Sequence, residues 1–189
     1  MQAIWAISHT ILRDHCREEI PYPTFNHCPQ CGHFVNLVRH GYYQRHIPEK
    51  DRVWVLDICR YICPDCGRTL SLLPWFLLPF FQHPRSTIFT ALREHFLGRV
   101  GTFISRQLQS FYARRFIRNL NAIVSSFRQK GFYATLPGEI REKAIRLMGW
   151  LEHTSPSASI ETIDQNSDHT ASNFMALSLY SRGSVSCKS

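Results

Sequence analysis

The spacing of apolar residues first predicts a small sheet. The segments VNLVRHGYYQRHI (35–47) and DRVWVLDICRYIC (51–63) are rich in β-branched and aromatic residues, which is typical of strands. PEKD, which connects them, has the composition of a turn. We therefore expect an antiparallel pair of strands in the first half of the chain.

From Ser86 onward the apolar residues follow helical spacing instead. STIFTALREHFLG predicts a first helix with Ser86 as its N-cap and Gly98 as its stop. A second helical region is predicted from about Thr102 to Lys130, either continuous or broken near Ser110.

The second and third helical patterns each place apolar residues on one face. In the second, which Gly131 ends, this face comprises Ile117, Leu120, Val124 and Phe127. In the third, GEIREKAIRLMGWLEH, it comprises Ile140, Ala144, Leu147 and Leu151. We expect helices that pack through these faces into a bundle.

Composition divides the chain further. Prolines at 74, 79 and 84 forbid one continuous helix, and the chain after residue 153 turns to Ser, Thr, Asn and Asp. We predict a lead-in (1–26), a ribbon (27–70), an apolar connector (71–85), a basic helical domain (86–153) and a disordered tail (154–189) in which only FMALSLY is apolar enough to dock. The predicted fold class is α+β, with a small antiparallel β ribbon followed by a helix-turn-helix-like bundle and a flexible tail.

Charge is concentrated in the helical half. The 189 residues carry a net charge of +8. The segment from Arg85 to Lys130 contains nine basic residues and one acidic residue, Glu94. No acidic residue occurs from residue 95 to residue 138. This imbalance favours an anionic partner such as nucleic acid.

The beginning of the chain and its cysteines predict a reducing compartment. MQAIWAISHTILRDHC lacks the basic start of a secretory signal, and no stretch reaches the ~18 apolar residues of a membrane span. We expect a bacterial cytoplasmic protein, nucleoid-associated if it binds DNA. In that compartment Cys-x-x-Cys pairs bind metal more often than they form disulfides.

Two copies of CPxCG predict a metal site. Cys28 and Cys31 form one pair, and Cys63 and Cys66 form the other. Two thiolates separated by two residues can face one ion from a tight turn, and two such turns give the tetrahedral S4 coordination that suits one structural Zn²⁺. A redox dithiol and an iron site are the alternatives.

The other cysteines and the nearby histidines have different predicted roles. Cys59 is expected to be a small buried residue of the sheet, with a ligand or redox role as the alternative. Cys16 and Cys187 are expected to be free thiols. His27 and His33 flank the first pair and could replace a thiolate, whereas His40 is assigned to the hairpin surface.

The segments around the two pairs resemble a known kind of protein. CPQCG, RHGYYQR (39–45) and RYICPDCGRTLSLLPWFLLPF (60–80) are similar to the zinc-ribbon segment of bacterial transposon-associated proteins. The likeness is strongest to an uncharacterised family of short proteins in which the ribbon precedes a helix-turn-helix-like region. The segments also resemble the amino-terminal ribbons of several insertion-sequence transposases. The resemblance covers residues 25 to 85, more loosely to 130, and implies a module that binds DNA or assists a DNA-binding neighbour.

The resemblance does not extend to catalysis. The transposases carry three metal-binding carboxylates on a separate RNase H-like domain, and the acid-free segment here cannot supply them. We therefore expect no enzyme activity.

The leading functional hypothesis is a DNA-binding accessory or regulatory protein of a mobile element. The predicted nucleic-acid residues all lie in the second helical region and are Arg106, Gln107, Gln109, Arg114, Arg115, Arg118, Arg128 and Lys130. Gln107 and Gln109, with Ser105 and Arg106, are assigned to base edges, and Arg114, Arg115 and Arg118 to phosphates. The alternative is a scaffold that binds a transposase or a polymerase-type partner through the apolar connector Leu72 to Phe81.

Overall fold

The computed structural model describes residues 2–5, 7, 11–12, 19–99, 103–129 and 131–153. Its elements in chain order are β1 (Gln2–Trp5), β2 (Val38–Glu49), β3 (Arg52–Ile62), β4 (Thr69–Pro74), α1 (Arg85–Phe96), α2 (Arg106–Gln129) and α3 (Ile140–His153). Contacts divide the chain into two units at the bond between Pro84 and Arg85. The predicted α+β class is confirmed, whereas the tail, Cys16, Cys187 and Lys130 lie outside the described residues.

The first unit contains a four-stranded sheet in the order β1-β4-β3-β2. β2 and β3 are antiparallel, as predicted, and β4 pairs antiparallel with β3. β1 adds to β4 in parallel. β1 lies in the lead-in, for which the sequence predicted no element. One boundary is corrected: the first residues of the predicted connector belong to β4, because its first proline comes only at the strand's end.

Two apolar cores lie on opposite faces of this sheet. Cys59 and Tyr61 of β3 belong to a core at the cysteine end, which also includes Phe25. Their neighbour Ile58 packs instead into a core with Leu73 near the hairpin. Because side chains alternate along a strand, one sheet supports both clusters.

The connector folds back into the first unit. Leu77 and Leu78 are fully buried, and the half-buried Arg45 donates hydrogen bonds from Nη2 to the carbonyl oxygens of Leu78 and Phe81. Phe80 stands out from this loop, with a left-handed φ of 66° and 62% of its surface exposed. The prediction that the whole connector is an exposed apolar contact is therefore wrong, because most of it is core.

The helix ends of the second unit follow known capping patterns. Gly98 has φ 72°, and its N–H and that of Arg99 bond the carbonyls of His95 and Glu94, which is a Schellman motif. Gly131 ends α2 in the same way. Both predicted glycine stops are thus confirmed.

Helix starts differ from prediction. α1 begins one residue before Ser86, whose carbonyl accepts from the Thr90 hydroxyl, so Ser86 is not the N-cap. Ser105 caps α2 instead, since its Oγ accepts from the N–H of Leu108 at 3.2 Å. The predicted contact of Ser105 with base edges stays a prediction. α2 continues through Ser110 without a break.

The three helices contact one another, but the buried face of α2 differs from the predicted one. It comprises Gln109, Tyr112, Ala113, Phe116, Asn119, Leu120 and Ile123. Ile117 is 37% exposed, and Val124 and Phe127 are half-buried. In α3, Ala144, Leu147 and Leu151 are buried as predicted, whereas Ile140 is exposed.

The connection between α1 and α2 spans residues 97–105. A compact helix-turn-helix uses a turn of about 3–4 residues, so this connection is longer. The helix-turn-helix assignment stays a prediction. None of the helices in the described ranges is long and apolar enough to cross a membrane.

Candidate metal centre and basic helix face

The two CPxCG turns have the same backbone hydrogen bonds. In the first, the N–H of Gly32 bonds the Cys28 carbonyl at 2.9 Å and the N–H of Cys28 bonds the His33 carbonyl at 2.9 Å. In the second, Gly67 and Cys63 repeat these bonds at 2.9 and 3.0 Å, the latter to the carbonyl of Arg68. We call these two turns the knuckles.

Each knuckle needs its glycine. Gly32 has φ 77° and Gly67 has φ 67°, conformations that a side chain disfavours. Space is not the reason, because a Cβ at either position would meet nothing within 4 Å. The motif therefore requires glycine for its backbone conformation alone.

The knuckles bring four sulfurs together. The Sγ atoms of Cys28 and Cys66 lie 3.8 Å apart, and those of Cys31 and Cys63 lie 3.9 Å apart. All four lie within 4.8 Å of one another, much farther apart than the ~2.05 Å of a disulfide. The prediction that these cysteines converge is confirmed, and the cluster could hold one metal ion.

The thiols of Cys28 and Cys31 hold their protons unequally. Burial alone would raise the pKa of Cys28, but hydrogen bonds from the N–H groups of Cys31 and Gln30 and from neighbouring thiols lower it to about 6. The N–H of His33 would lower the pKa of Cys31, but burial and hydrogen bonds with the neighbouring thiols raise it to about 12. The Cys28 thiol thus gives up its proton more readily than the Cys31 thiol, and a bound cation would displace protons from the cluster.

The residues around the centre support it without joining it. His33 Nδ1 lies 3.0 Å from Asp65 Oδ2, and the His27 ring packs against Phe34 with centroids 5.4 Å apart. Within the described residues, neither histidine belongs to the cluster of possible ligands. The sequence did not indicate the His33–Asp65 pair, since only the fold brings the two knuckles together.

Cys59 is a core residue, as predicted. Only 1% of its surface is exposed, and burial raises the pKa of its thiol. It packs in the cluster that contains Tyr61 and Leu72. Its side chain packs as a small apolar residue in the core on one face of the sheet.

The basic residues of α2 fall into three groups. Arg106, Gln107, Arg114, Arg118 and Arg128 are exposed, and the four arginines have no ion-pair partner in the part of the chain that the structure describes. Arg115 is half-buried, and burial together with the neighbouring Arg118 lowers its pKa. Gln109 is only 3% exposed and donates from Nε2 to the Arg99 carbonyl, so the prediction that it reaches base edges is wrong.

The sequence-based set omitted Asn121, and with it the exposed Ser125 and Gln129 of α2. Asn121 lies one helical turn after Arg118 and is exposed. Its position relative to the buried residues becomes clear only once the buried face is known, because the predicted apolar face was centred incorrectly. A helical wheel drawn from Tyr112, Phe116 and Ile123 would have found it.

The comparisons with known proteins give a family model and nothing more specific. A model described as a domain of unknown function, DUF6431, matches residues 28–104. No curated protein and no solved structure matches the chain. The matched segment begins at Cys28, contains all four cysteines of the candidate metal centre and ends before α2.

Proposed function

We propose that this protein is a zinc-dependent, non-catalytic DNA-binding accessory or regulatory protein of a mobile element. The observation that carries the proposal is the exposed face of α2, a 24-residue helix whose sequence contains no Asp or Glu. DNA binding requires cations that can reach phosphates, and this face offers them.

Zinc is the metal that best suits the thiol cluster. Tetrahedral coordination with Zn–S bonds of ~2.3 Å separates the sulfurs by about 3.8 Å. Two of the Sγ–Sγ distances are 3.8 and 3.9 Å, and all four sulfurs lie within 4.8 Å of one another. Four cysteines fill the four positions, which leaves none for a reacting water. The proposed metal is therefore structural, and its binding is coupled to folding of the knuckles.

The arrangement of charges on α2 favours an anionic partner. Arg114 and Arg118 lie four residues apart, and Arg115 lies three residues before Arg118. Like charges at these spacings destabilise a helix by about 0.2–0.5 kcal/mol per pair. A polyanion bound to this face would remove that repulsion.

The mobile-element part of the proposal rests on the resemblance of the ribbon segments. In this proposal the protein acts together with a transposase or another DNA-binding partner and catalyses no reaction itself. The genes next to this one test that part directly, since the proposal requires transposition functions among them.

DNA binding is tested by fluorescence anisotropy with zinc-loaded protein and labelled duplex DNA, single-stranded DNA and RNA over a range of salt. We expect duplex affinity to fall as salt rises, and to fall strongly in an Arg114→Ala/Arg118→Ala variant. An Arg52→Ala/Arg93→Ala variant is the matched control, because it removes the same charge from exposed sites elsewhere. Duplex affinity that is independent of salt and of both variants would reject the function.

A protein-binding scaffold remains the second candidate. It is favoured by two strongly exposed aromatic side chains of the first unit, Phe34 at 90% and Phe80 at 62%. A pull-down of a transposase that survives nuclease treatment but is lost in Phe34→Ser or Phe80→Ser would support it. If the transposase is captured only when nucleic acid is present, the result supports DNA binding instead.

A further inference from the structure

We infer that Arg114, Arg118 and Asn121 form a row that reads base edges in the major groove of duplex DNA, and that Arg106 and Arg128 contact phosphates at its two ends. The inference rests on the proposed function and assigns roles within the same face. It also revises the sequence-based assignment, which placed Arg114 and Arg118 on phosphates.

The row is defined by the buried face of α2. At about 100° per residue, the buried side chains from Gln109 to Ile123 centre on Phe116. The direction opposite Phe116 passes between Arg114 and Arg118, each within about 20° of it, and Asn121 lies within about 40°. All three are exposed, and they form the middle of the face of α2 that lies opposite its packed side and that also includes Gln107, Phe111 and Ser125.

The length of the row matches a short stretch of base pairs. From Arg114 to Asn121 the helix rises about 10 Å, which corresponds to about three base pairs at 3.4 Å each. Arg106 and Arg128 lie about 12 and 10 Å beyond the two ends of the row. The major groove of DNA is about 12 Å wide and admits an α-helix. With the central turns of α2 in the groove, the two ends of the helix approach the phosphate backbones on either side.

The side chains are those that distinguish bases. Arginine bonds O6 and N7 of guanine with two hydrogen bonds, and asparagine bonds N6 and N7 of adenine in the same way. Because the sequence of α2 contains no acid, neither Arg114 nor Arg118 has a carboxylate on its own helix to pair with. The positive charges of the row are therefore not neutralised by any ion pair within α2.

The test uses zinc-loaded full-length protein and a randomised duplex library. Sites selected by the wild type are compared with those selected by Asn121→Ala, and the affinity for the selected and a scrambled duplex is then measured across salt. Asn121 is neutral, so we expect its loss to remove the preference at one position, by about tenfold or more, while the salt dependence is unchanged. Arg128→Ala should instead weaken both duplexes equally and reduce the salt slope by about one.

The outcomes separate the inference from the function it rests on. Asn36→Ala, an exposed asparagine in the first unit, is the matched control and should leave the selected sites unchanged. If the wild type binds duplex with salt dependence but Asn121→Ala selects the same sites, the reading row is wrong and the function stands. If the wild type itself shows no salt-dependent duplex binding, both fail.

Discussion

His33 and Asp65 join the two knuckles directly, with Nδ1 3.0 Å from Oδ2. The side chains are 65% and 42% exposed, and exposed ion pairs contribute only about 0–1 kcal/mol. The pair therefore orients the turns relative to each other, while the thiols would supply the main stabilisation through the proposed zinc.

Metal content should distinguish the ligands from their neighbours. We expect Cys28→Ser and Cys63→Ser to lose the bound metal, because each removes one of four thiolates from the cluster. His33→Ala, His27→Ala and Cys59→Ala should each retain one zinc per chain, since none of these side chains belongs to it. Elemental analysis of purified protein measures this, and loss of zinc in His33→Ala would show that the ligand set is incorrect.

The knuckle glycines should be sensitive to alanine. Gly32→Ala and Gly67→Ala each force a side chain into a left-handed conformation, at a cost of about 1–2 kcal/mol. Gly149→Ala provides the control, because this position lies inside α3, meets nothing within 4 Å and has no positive φ. It should stabilise its helix by up to about 1 kcal/mol. Thermal unfolding that shifts all three variants in the same direction would contradict the backbone explanation.

Alkaline pH should destabilise the first unit through Tyr61. Burial and the neighbouring Cys59 raise the pKa of Tyr61 well above its ordinary value of 10, and its hydroxyl donates to the Pro23 carbonyl at 2.6 Å. The folded state holds this proton after the unfolded chain has lost it, so the stabilisation is complete below pH ~10 and falls as pH rises further.

Tyr61→Phe isolates this effect. It should cost about 0.5–1.5 kcal/mol near neutral pH through the lost hydrogen bond. It should also make the alkaline decline in the free energy of unfolding less steep, with the remaining decline belonging to the buried Cys59 thiol. Denaturant unfolding of both proteins between pH 8 and 11 would be compared. An equally steep decline in the variant would assign the titration to another group.

Charge reversal on α2 should separate stability from binding. Arg118→Glu places an acid three and four residues after Arg115 and Arg114, so it replaces repulsion by attraction and should stabilise the helix by a few tenths of a kcal/mol. The same change should abolish duplex binding by opposing the phosphates. Melting temperature and DNA affinity are measured on one sample. A variant that binds as tightly as the wild type would show that this face does not meet DNA.

Local rules predicted some parts of this fold well. The CPxCG pairs, the β2–β3 hairpin and the glycine stops at Gly98 and Gly131 follow from short segments whose geometry is set by a few neighbouring residues. The candidate ligands could be named from the sequence for the same reason, because each pair forms within one tight turn.

Long-range packing explains what the sequence did not reveal. β1 becomes a strand only because β4 offers it an edge. Gln109 is buried, and its Nε2 donates to the Arg99 carbonyl outside its own helix. The buried face of α2 was misplaced because both of its faces contain large apolar residues. Ile117 and Phe116 are adjacent, and only the packed bundle decides which of them is core.

The two cores have a consequence for how the first unit comes apart. Ile58 and Cys59 of β3 are consecutive, yet each belongs to a different core, and the same holds for Leu72 and Leu73 of β4. Stripping the metal should therefore speed amide hydrogen exchange first around the knuckles and Phe25, while the amides around Ile47 and Leu56 stay protected longer. The ribbon would behave as two cooperative units connected through the backbones of β3 and β4.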